Sequence, residues 1–275
     1  MTQLIDLTTV AFLGACYGSF CNVVAWRLPR KESVIRPGSH CTRCGKNVRW
    51  HDNLPVVGWL LLAGRCRDCR KTISARYPIV EALSAGLWIS ATFAATAGLS
   101  GLPALFRLGA GIVLVSILLP LVLIDLDHMW LPESICRWGL LLGLISTTAA
   151  AMLLGWDLGA PLLLQHLIAA AAALLSLEWL STLAERVLGQ PALGLGDAKL
   201  AALGGAWLGL TGIAIAMALA VLGGAVFGLC GRLTGRLQSR QAFPFGPFIA
   251  MGIWAVWLWG NEGWWGLWLN IMGVN

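Results

Sequence analysis

Residues 200–231 read LAALGGAWLGLTGIAIAMALAVLGGAVFGLCG, and these 32 residues include no Asp, Glu, Lys or Arg. A membrane-spanning helix needs about 20 predominantly apolar residues. As one helix the stretch would be about 48 Å long, against a hydrocarbon core of about 30 Å. Four glycines could divide it into two spans: Gly204, Gly205, Gly209 and Gly212. The stretch therefore predicts a membrane protein and leaves its own count of spans open.

The rest of the chain repeats this pattern. Apolar residues make up 58% of the 275 residues, charged residues only 12%, and the mean hydropathy is +0.76. A soluble fold could not hide that much apolar surface, so the composition excludes a water-soluble globular enzyme. Six further charge-free runs are long enough to be spans: Leu7–Trp26, Ala82–Phe106, Leu108–Ile124, Trp138–Trp156, Leu158–Leu177 and Gln241–Asn261. We predict an all-α polytopic membrane protein.

The distribution of charge predicts the topology. Residues 27–77 hold 12 of the 19 Lys and Arg residues, and basic loops prefer the cytoplasm. Arg232, Arg236 and Arg240 reach the same side only if residues 200–231 form two spans. We therefore expect about eight spans with both termini outside. The domains would be a first helix (1–26), a cytoplasmic loop (27–77) and a multi-span membrane domain (78–275).

The cytoplasmic loop carries two cysteine pairs. Cys41 and Cys44 form the first, Cys66 and Cys69 the second, and 21 residues separate the pairs. This spacing is close to that of a four-thiolate zinc ribbon, and a short basic loop commonly needs a metal to fold. The alternatives are disulfides and free thiols. A reducing cytoplasm disfavours the disulfides. We expect structural zinc.

Two aspartates at the ends of apolar runs are the candidate catalytic residues. Asp125 ends the run before Leu126, and Asp197 follows Gly194-Leu-Gly196 at the start of residues 200–231. Both fall at the predicted cytoplasmic boundary, where an ionisable group by default marks a site. Two facing carboxyls can share one proton, as in an aspartic protease. The structural alternative is that Asp197 caps a helix and Asp125 pairs with a cation; Asp127 and Glu133 are rival acids.

Taken together, these segments resemble the bacterial type IV prepilin peptidases, which are bifunctional leader peptidase/N-methyltransferases. The resemblance covers most of the chain and lies in the order and spacing of several motifs. These are Gly18–Pro29, both cysteine pairs, Asp52–Pro55, Gly64–Glu81, Asp125 with Pro132, Leu195–Leu200 and Phe243–Phe248. Thr42 and Glu133 depart from the family's usual residues, but neither touches the proposed pair of aspartates.

The resemblance implies a GxGD-type aspartic endopeptidase of the bacterial inner membrane. It would cleave the basic leader of prepilins and pseudopilins near the cytoplasmic face, with Asp125 and Asp197 as the catalytic residues. It would then N-methylate the new N-terminus from S-adenosylmethionine, for which the sequence assigns no residues. The expected partners are the clients' apolar N-terminal helices and the lipid bilayer, and no nucleic acid.

Two other functions stay open from the residues alone. A proton- or metal-coupled transporter would also place acids inside the membrane near broken helices. It would usually show inverted repeats, which this sequence lacks, and it gives the cysteine loop no role. A zinc-loop scaffold without catalysis is the third alternative.

Overall fold

The computed structural model of the protein describes residues 7–188, 194–238 and 241–271. Arg240, used above to infer the topology, lies outside the described residues, as do both chain ends. The helices are α1 (Leu7–Arg27), α2 (Val57–Leu61), α3 (Arg76–Thr96), α4 (Gly101–His128), α5 (Glu133–Leu154), α6 (Trp156–Leu188), α7 (Leu195–Leu233) and α8 (Gly246–Ile271). A short 3-10 turn, Leu28–Arg30, extends α1. Within the described ranges there is no strand, which confirms the all-α fold.

Six of these helices are long and apolar enough to cross a membrane: α1 with its 3-10 turn, α3, α4, α5, α6 and α7. The protein is therefore a multi-pass membrane protein. The expectation of about eight spans treated residues 200–231 as two spans. The structure keeps them in α7 but breaks the helix at Gly209, whose φ of 71° is left-handed. Gly260 divides α8 in the same way, with φ 71°.

The polar groups around the break in α7 show how it is tolerated inside the membrane. A broken helix leaves carbonyls without their usual backbone donors, and lipid offers none in exchange. The carbonyl of Ala206 instead accepts from His166 Nδ1 at 3.0 Å and from Thr147 Oγ1 at 3.1 Å. His166 and Thr147 thus stabilise the break from α6 and α5.

The chain forms two compact units, residues 1–123 and 124–275. In the first unit α1 packs on α3 through two glycines one helical turn apart. A Cβ on Gly14 would lie 3.0 Å from Ala85 Cα, and one on Gly18 would lie 2.8 Å from Glu81 Cα. Small residues at this spacing let two membrane helices approach closely. The proposed domain limits at residues 26 and 77 stay a prediction.

In the second unit α7 packs against α5, α6 and α8. Close backbone approach again depends on glycine: a Cβ on Gly205 would lie 2.7 Å from Ala169 O, and one on Gly252 would lie 2.3 Å from Ala216 O. The last turn of α4 and the first turn of α7, both in this unit, carry the candidate catalytic residues.

Candidate active site and candidate metal site

Asp125 lies in the last turn of α4 and is 5% exposed. Its Oδ2 accepts a hydrogen bond of 3.0 Å from the backbone N–H of Gly246. Gly246 is the first residue of α8, so its N–H is one of the groups that a helix N-terminus leaves without an intrahelical partner. The side chain of Asp125, at the end of α4, therefore provides the acceptor for a free backbone N–H at the beginning of α8.

Any side chain at position 246 would crowd this carboxylate. A Cβ built on Gly246 would lie 2.7 Å from Asp125 Oδ2 and 3.4 Å from Leu131 Cδ1. The first distance is shorter than side chains tolerate, and the Asp125 carboxylate would have to move. In the sequence Gly246 stands out only as part of the motif Phe243–Phe248. Its contact with Asp125 is not predictable there, because no local pattern links two residues that are 121 positions apart.

Asp197 lies in the first turn of α7 and is 9% exposed. Its Oδ2 accepts from the backbone N–H of Gly194, the N-cap residue, at 3.3 Å. The capping contact considered above as the structural alternative is thus present. It is a long hydrogen bond to one oxygen of the carboxylate, so it occupies only part of the side chain's capacity to accept.

Leu131 brings the two aspartate segments together. This buried side chain lies against both glycines: a Cβ on Gly196 would be 2.9 Å from Leu131 Cβ, and one on Gly246 would be 3.4 Å from its Cδ1. The Asp125 and Asp197 carboxylates are close enough to interact electrostatically. The ends of α4, α7 and α8 therefore meet around two buried acids.

The rival acids have other environments. Asp127 is exposed. Glu133 is also exposed, and its carboxylate forms ion pairs with Lys199 at 2.8 Å and with Arg137 at 3.9 Å. The first pair joins the start of α5 to the start of α7, a contact that sequence reasoning did not anticipate. Neither rival belongs to the buried pair.

An aromatic cluster positions the chain before α8. The rings of Phe243 and Phe248 lie 5.4 and 5.5 Å from that of Phe227 on α7. Three of the segment's rings lie over glycines of α7: Phe248 over Gly223, Phe245 over Gly224 and Phe243 over Gly228. The glycines thus let the three rings pack closely against α7, and this packing positions Gly246 at the start of α8.

A cavity of about 500 Å³ lies next to this segment. Gly224 and Gly228 of α7 form part of one side, and Phe243 and Phe245 form part of another. Arg232, Gln238 and Gln241 also line it. Aliphatic side chains of Val221, Leu229 and Leu237 complete a mainly apolar lining. Phe245 in its wall is adjacent in sequence to Gly246.

The four cysteines of the loop come together. All four Sγ atoms lie within 4.8 Å of one another, and Cys41 Sγ is 3.8 Å from Cys69 Sγ. In a tetrahedral zinc site with Zn–S bonds of about 2.3 Å, two sulfurs are about 3.8 Å apart. The group can therefore hold a metal ion. His40 and His51, the nearest histidines, are not part of it.

The two cysteine pairs adopt the same turn. The N–H of Cys41 donates to Lys46 O at 2.9 Å, and that of Cys66 donates to Lys71 O at 2.8 Å. Gly45 and Arg70 follow the second cysteine of each pair with left-handed φ of 70° and 58°. A glycine after a cysteine pair is a recognisable turn signal, but no sequence signal marks its equivalent, Arg70. The loop thus contains two matched knuckles.

Hydrogen bonds favour the thiolate form of Cys41, and ion pairs link the two halves of the loop. Hydrogen bonds from the backbone of Cys44 and Arg43 lower the pKa of the Cys41 thiol to about 6. Arg67 Nε donates to Asp52 Oδ2 at 2.7 Å, and this bond holds the pKa of Asp52 below its usual value. Lys46 pairs with Asp68 at 3.1 Å, so a residue beside one cysteine pair contacts a residue of the other.

Comparison with known proteins divides the chain in two. The model of the bacterial peptidase A24 N-terminal domain matches residues 12–95. The model of the type IV leader peptidase family matches residues 112–229, which include both buried aspartates. No solved structure matches the chain significantly.

Several curated proteins are similar over most of the chain. A prepilin leader peptidase/N-methyltransferase of Myxococcus xanthus is 37% identical over 85% of this chain and 67% of its own length. A type 4 prepilin-like proteins leader peptide-processing enzyme of Escherichia coli is 33% identical, with 87% and 88% covered. A prepilin leader peptidase/N-methyltransferase of Pseudomonas aeruginosa is 32% identical, with 91% and 89% covered.

Proposed function

Because the chain belongs to the type IV leader peptidase family, we propose that it cleaves the basic leader from type IV prepilins and pseudopilins. The observation that carries the proposal is the buried pair of Asp125 and Asp197, which interact electrostatically where α4 ends and α7 begins. The catalytic residues are these two aspartates. None of the relatives described above is named as a transporter.

The pair performs acid–base chemistry on a peptide bond. With one carboxyl ionised and the other protonated, the ionised group takes a proton from a water molecule as that water attacks the scissile carbonyl carbon. The protonated group donates a hydrogen bond to the carbonyl oxygen, where negative charge develops. The N–H of Gly246 holds Oδ2 of Asp125 in place, so that carboxylate meets the substrate already oriented.

The substrate enters as a membrane helix. We place the enzyme in the bacterial inner membrane with its aspartates at the cytoplasmic face, because most of its Lys and Arg residues fall in one loop that the positive-inside rule puts in the cytoplasm. A client's apolar helix stands in the bilayer there while its Lys/Arg leader stays inside, as the positive-inside rule requires. We place the apolar residues beyond the scissile bond in the cavity beside Phe243 and Phe245, because Phe245 directly precedes Gly246, whose N–H binds Asp125.

Zinc is the metal proposed for the four cysteines. Four thiolates close the coordination sphere and leave no open position for water, so the ion cross-links the two knuckles and takes no part in peptide hydrolysis. It stabilises a loop that has little apolar core of its own. Metal content therefore reports on the fold of residues 27–77.

We extend the proposal to N-methylation of the new N-terminus, because the relatives' names include this activity. S-adenosylmethionine would supply the methyl group. No strand, and hence no strand-led glycine motif of a soluble nucleotide-binding domain, occurs in the described ranges. We place the donor's site in the cysteine loop or at its junction with the first span, and we assign no residues to it.

Cleavage by the purified protein in detergent tests the proposal. A full-length prepilin should be shortened at one bond, and mass spectrometry should find a methyl group on the new N-terminus only when S-adenosylmethionine is supplied. Replacement of Asp125 or Asp197 by Asn should abolish cleavage. A folded, metal-loaded protein that leaves every basic-leader client intact would contradict the peptidase assignment.

A further inference from the structure

The short helix α2 carries an apolar face that none of the described residues covers. Val57, Leu60 and Leu61, at spacing i, i+3 and i+4, are 49%, 62% and 77% exposed. The opposite face is packed: Trp59 Nε1 donates to Ile73 O at 3.1 Å, and a Cβ on Gly58 would lie 2.2 Å from Asp52 O. One side of α2 thus holds the cysteine loop together, while the other presents three aliphatic side chains outward.

Hydrogen bonds to the membrane helices indicate the depth of α2 relative to the spans. The N–H of Val56, directly before α2, donates to Glu81 Oε2 at 2.7 Å. Glu81 is five residues into the apolar helix α3, about 7.5 Å along its axis. Asn22 of α1 donates to Tyr77 O at 3.4 Å, which ties the same ends of α1 and α3 together. The helix α2 therefore begins at the level where the spans leave the membrane, not out in the solvent.

The charge around α2 indicates what lies against it. Residues 27–77 contain twelve Lys and Arg but three Asp and Glu, a net charge of +9. The exposed cations nearest to α2 in sequence are Arg49, Arg65, Arg67, Arg70 and Lys71, and Arg67 among them pairs with Asp52. Trp50 is 80% exposed as well. Exposed Trp and Leu beside Lys and Arg are the composition of a segment that lies on an anionic bilayer surface.

We propose that α2 is an interfacial anchor: Val57, Leu60 and Leu61 lie in the headgroup–acyl boundary of an anionic leaflet, and the flanking cations bind its phosphates. The anchor holds the cysteine loop flat on the membrane. Charge disfavours the other occupants of this face. A second copy of the loop carries the same +9, and a client with a basic leader would be repelled by it. The proposal rests on the membrane-spanning helices and does not depend on the peptidase assignment.

Fluorescence quenching in nanodiscs tests the anchor. The full-length protein receives a fluorescent unnatural amino acid at Leu61, with one copy per disc and no client present. A label at exposed Thr42, between the first two cysteines, is the matched control. We expect lipids brominated on their acyl chains to quench the Leu61 label strongly, and iodide in the buffer to reach it several times less than it reaches the label at Thr42. Discs without anionic lipid should reduce the bromine quenching.

Two outcomes would overturn the proposal. If iodide quenches the Leu61 and Thr42 labels equally, the face is in water. If the Leu61 label is shielded from iodide and also insensitive to brominated lipid, protein covers the face instead. A double variant, Leu60→Ser with Leu61→Ser, should keep its zinc and its span packing but lose protease protection of residues 57–61 in discs. Unchanged protection would also argue against lipid burial.

Discussion

Gly246 donates its backbone N–H to Oδ2 of Asp125 at 3.0 Å, although 121 positions separate the two residues. The contact joins the end of α4 to the beginning of α8, and the aromatic segment seated on α7 holds its donor in place. A candidate catalytic carboxylate is thus oriented by main chain rather than by a neighbouring side chain. Proline alone would remove this N–H, whereas any other side chain at position 246 would crowd the carboxylate that accepts from it.

Gly246→Ala should lower kcat/KM for prepilin cleavage about 100-fold, because a misplacement near 1 Å at a reacting group has roughly that effect. The added Cβ would lie 2.7 Å from Oδ2 of Asp125 and push the carboxylate away. Gly252→Ala is the control, because its Cβ meets Ala216 O at 2.3 Å, away from the aspartates. It should lower thermal stability at least as much, while the remaining folded enzyme keeps its kcat/KM. Equal losses of kcat/KM in both variants would mean that Gly246 matters only for packing.

Asp125→Asn and Asp197→Asn should each reduce cleavage by about 10²–10⁴-fold or more, since each removes one partner of acid–base catalysis. Asp127→Asn should have a mild effect, because Asp127 is exposed. Cleavage rates of the three variants on a full-length client, normalised to the amount of folded protein, test this assignment of the catalytic residues. An essential Asp127 beside a dispensable Asp125 would reverse the assignment.

The purified protein should contain about one zinc ion per chain, bound by Cys41, Cys44, Cys66 and Cys69. Elemental analysis should find this metal lost when all four become Ser, and limited proteolysis should then cut residues 27–77 first. Cys230→Ser is the matched control because Cys230 lies on α7, outside the cluster. Unchanged zinc in the four-Ser variant would refute the ligand set.

Gly228→Leu should raise KM or lower kcat/KM by filling the cavity beside Phe243. The control is Gly228→Ala, since its Cβ would be 3.6 Å from Phe243 Cε1, an ordinary contact that leaves the cavity open. Alanine should therefore be tolerated where leucine is not. If the two variants cleave prepilin equally well, the substrate does not use this cavity.

A client that keeps its leader and cleavage site but lacks its apolar helix should be cleaved far more slowly than the full-length client. The helix supplies positioning that a soluble peptide must recover from solution. The comparison should be made at equal concentrations in the same detergent. Equal turnover would show that docking from within the membrane is not required.

The class of protein and the positions of its candidate sites along the chain follow from local patterns in the sequence. Long charge-free runs predict spans because lipid requires apolar helices, whatever their neighbours are. The spacing of two cysteine pairs predicts a metal site because short turns bring both members of each pair to one ion. The aspartates were recognisable because ionisable groups at the ends of such runs are costly.

Only the tertiary structure decided how these parts meet. The break in α7 falls at Gly209, where His166 and Thr147 donate to the freed carbonyl of Ala206. It does not fall at Gly204, Gly205 or Gly212. The choice among four glycines depends on partners from two other helices. The contact of Gly246 with Asp125 and the ion pair of Glu133 with Lys199 likewise join segments that are distant in sequence. Hydropathy and spacing describe one helix or one turn at a time. The packing of helices in space determines which N–H reaches which carboxylate.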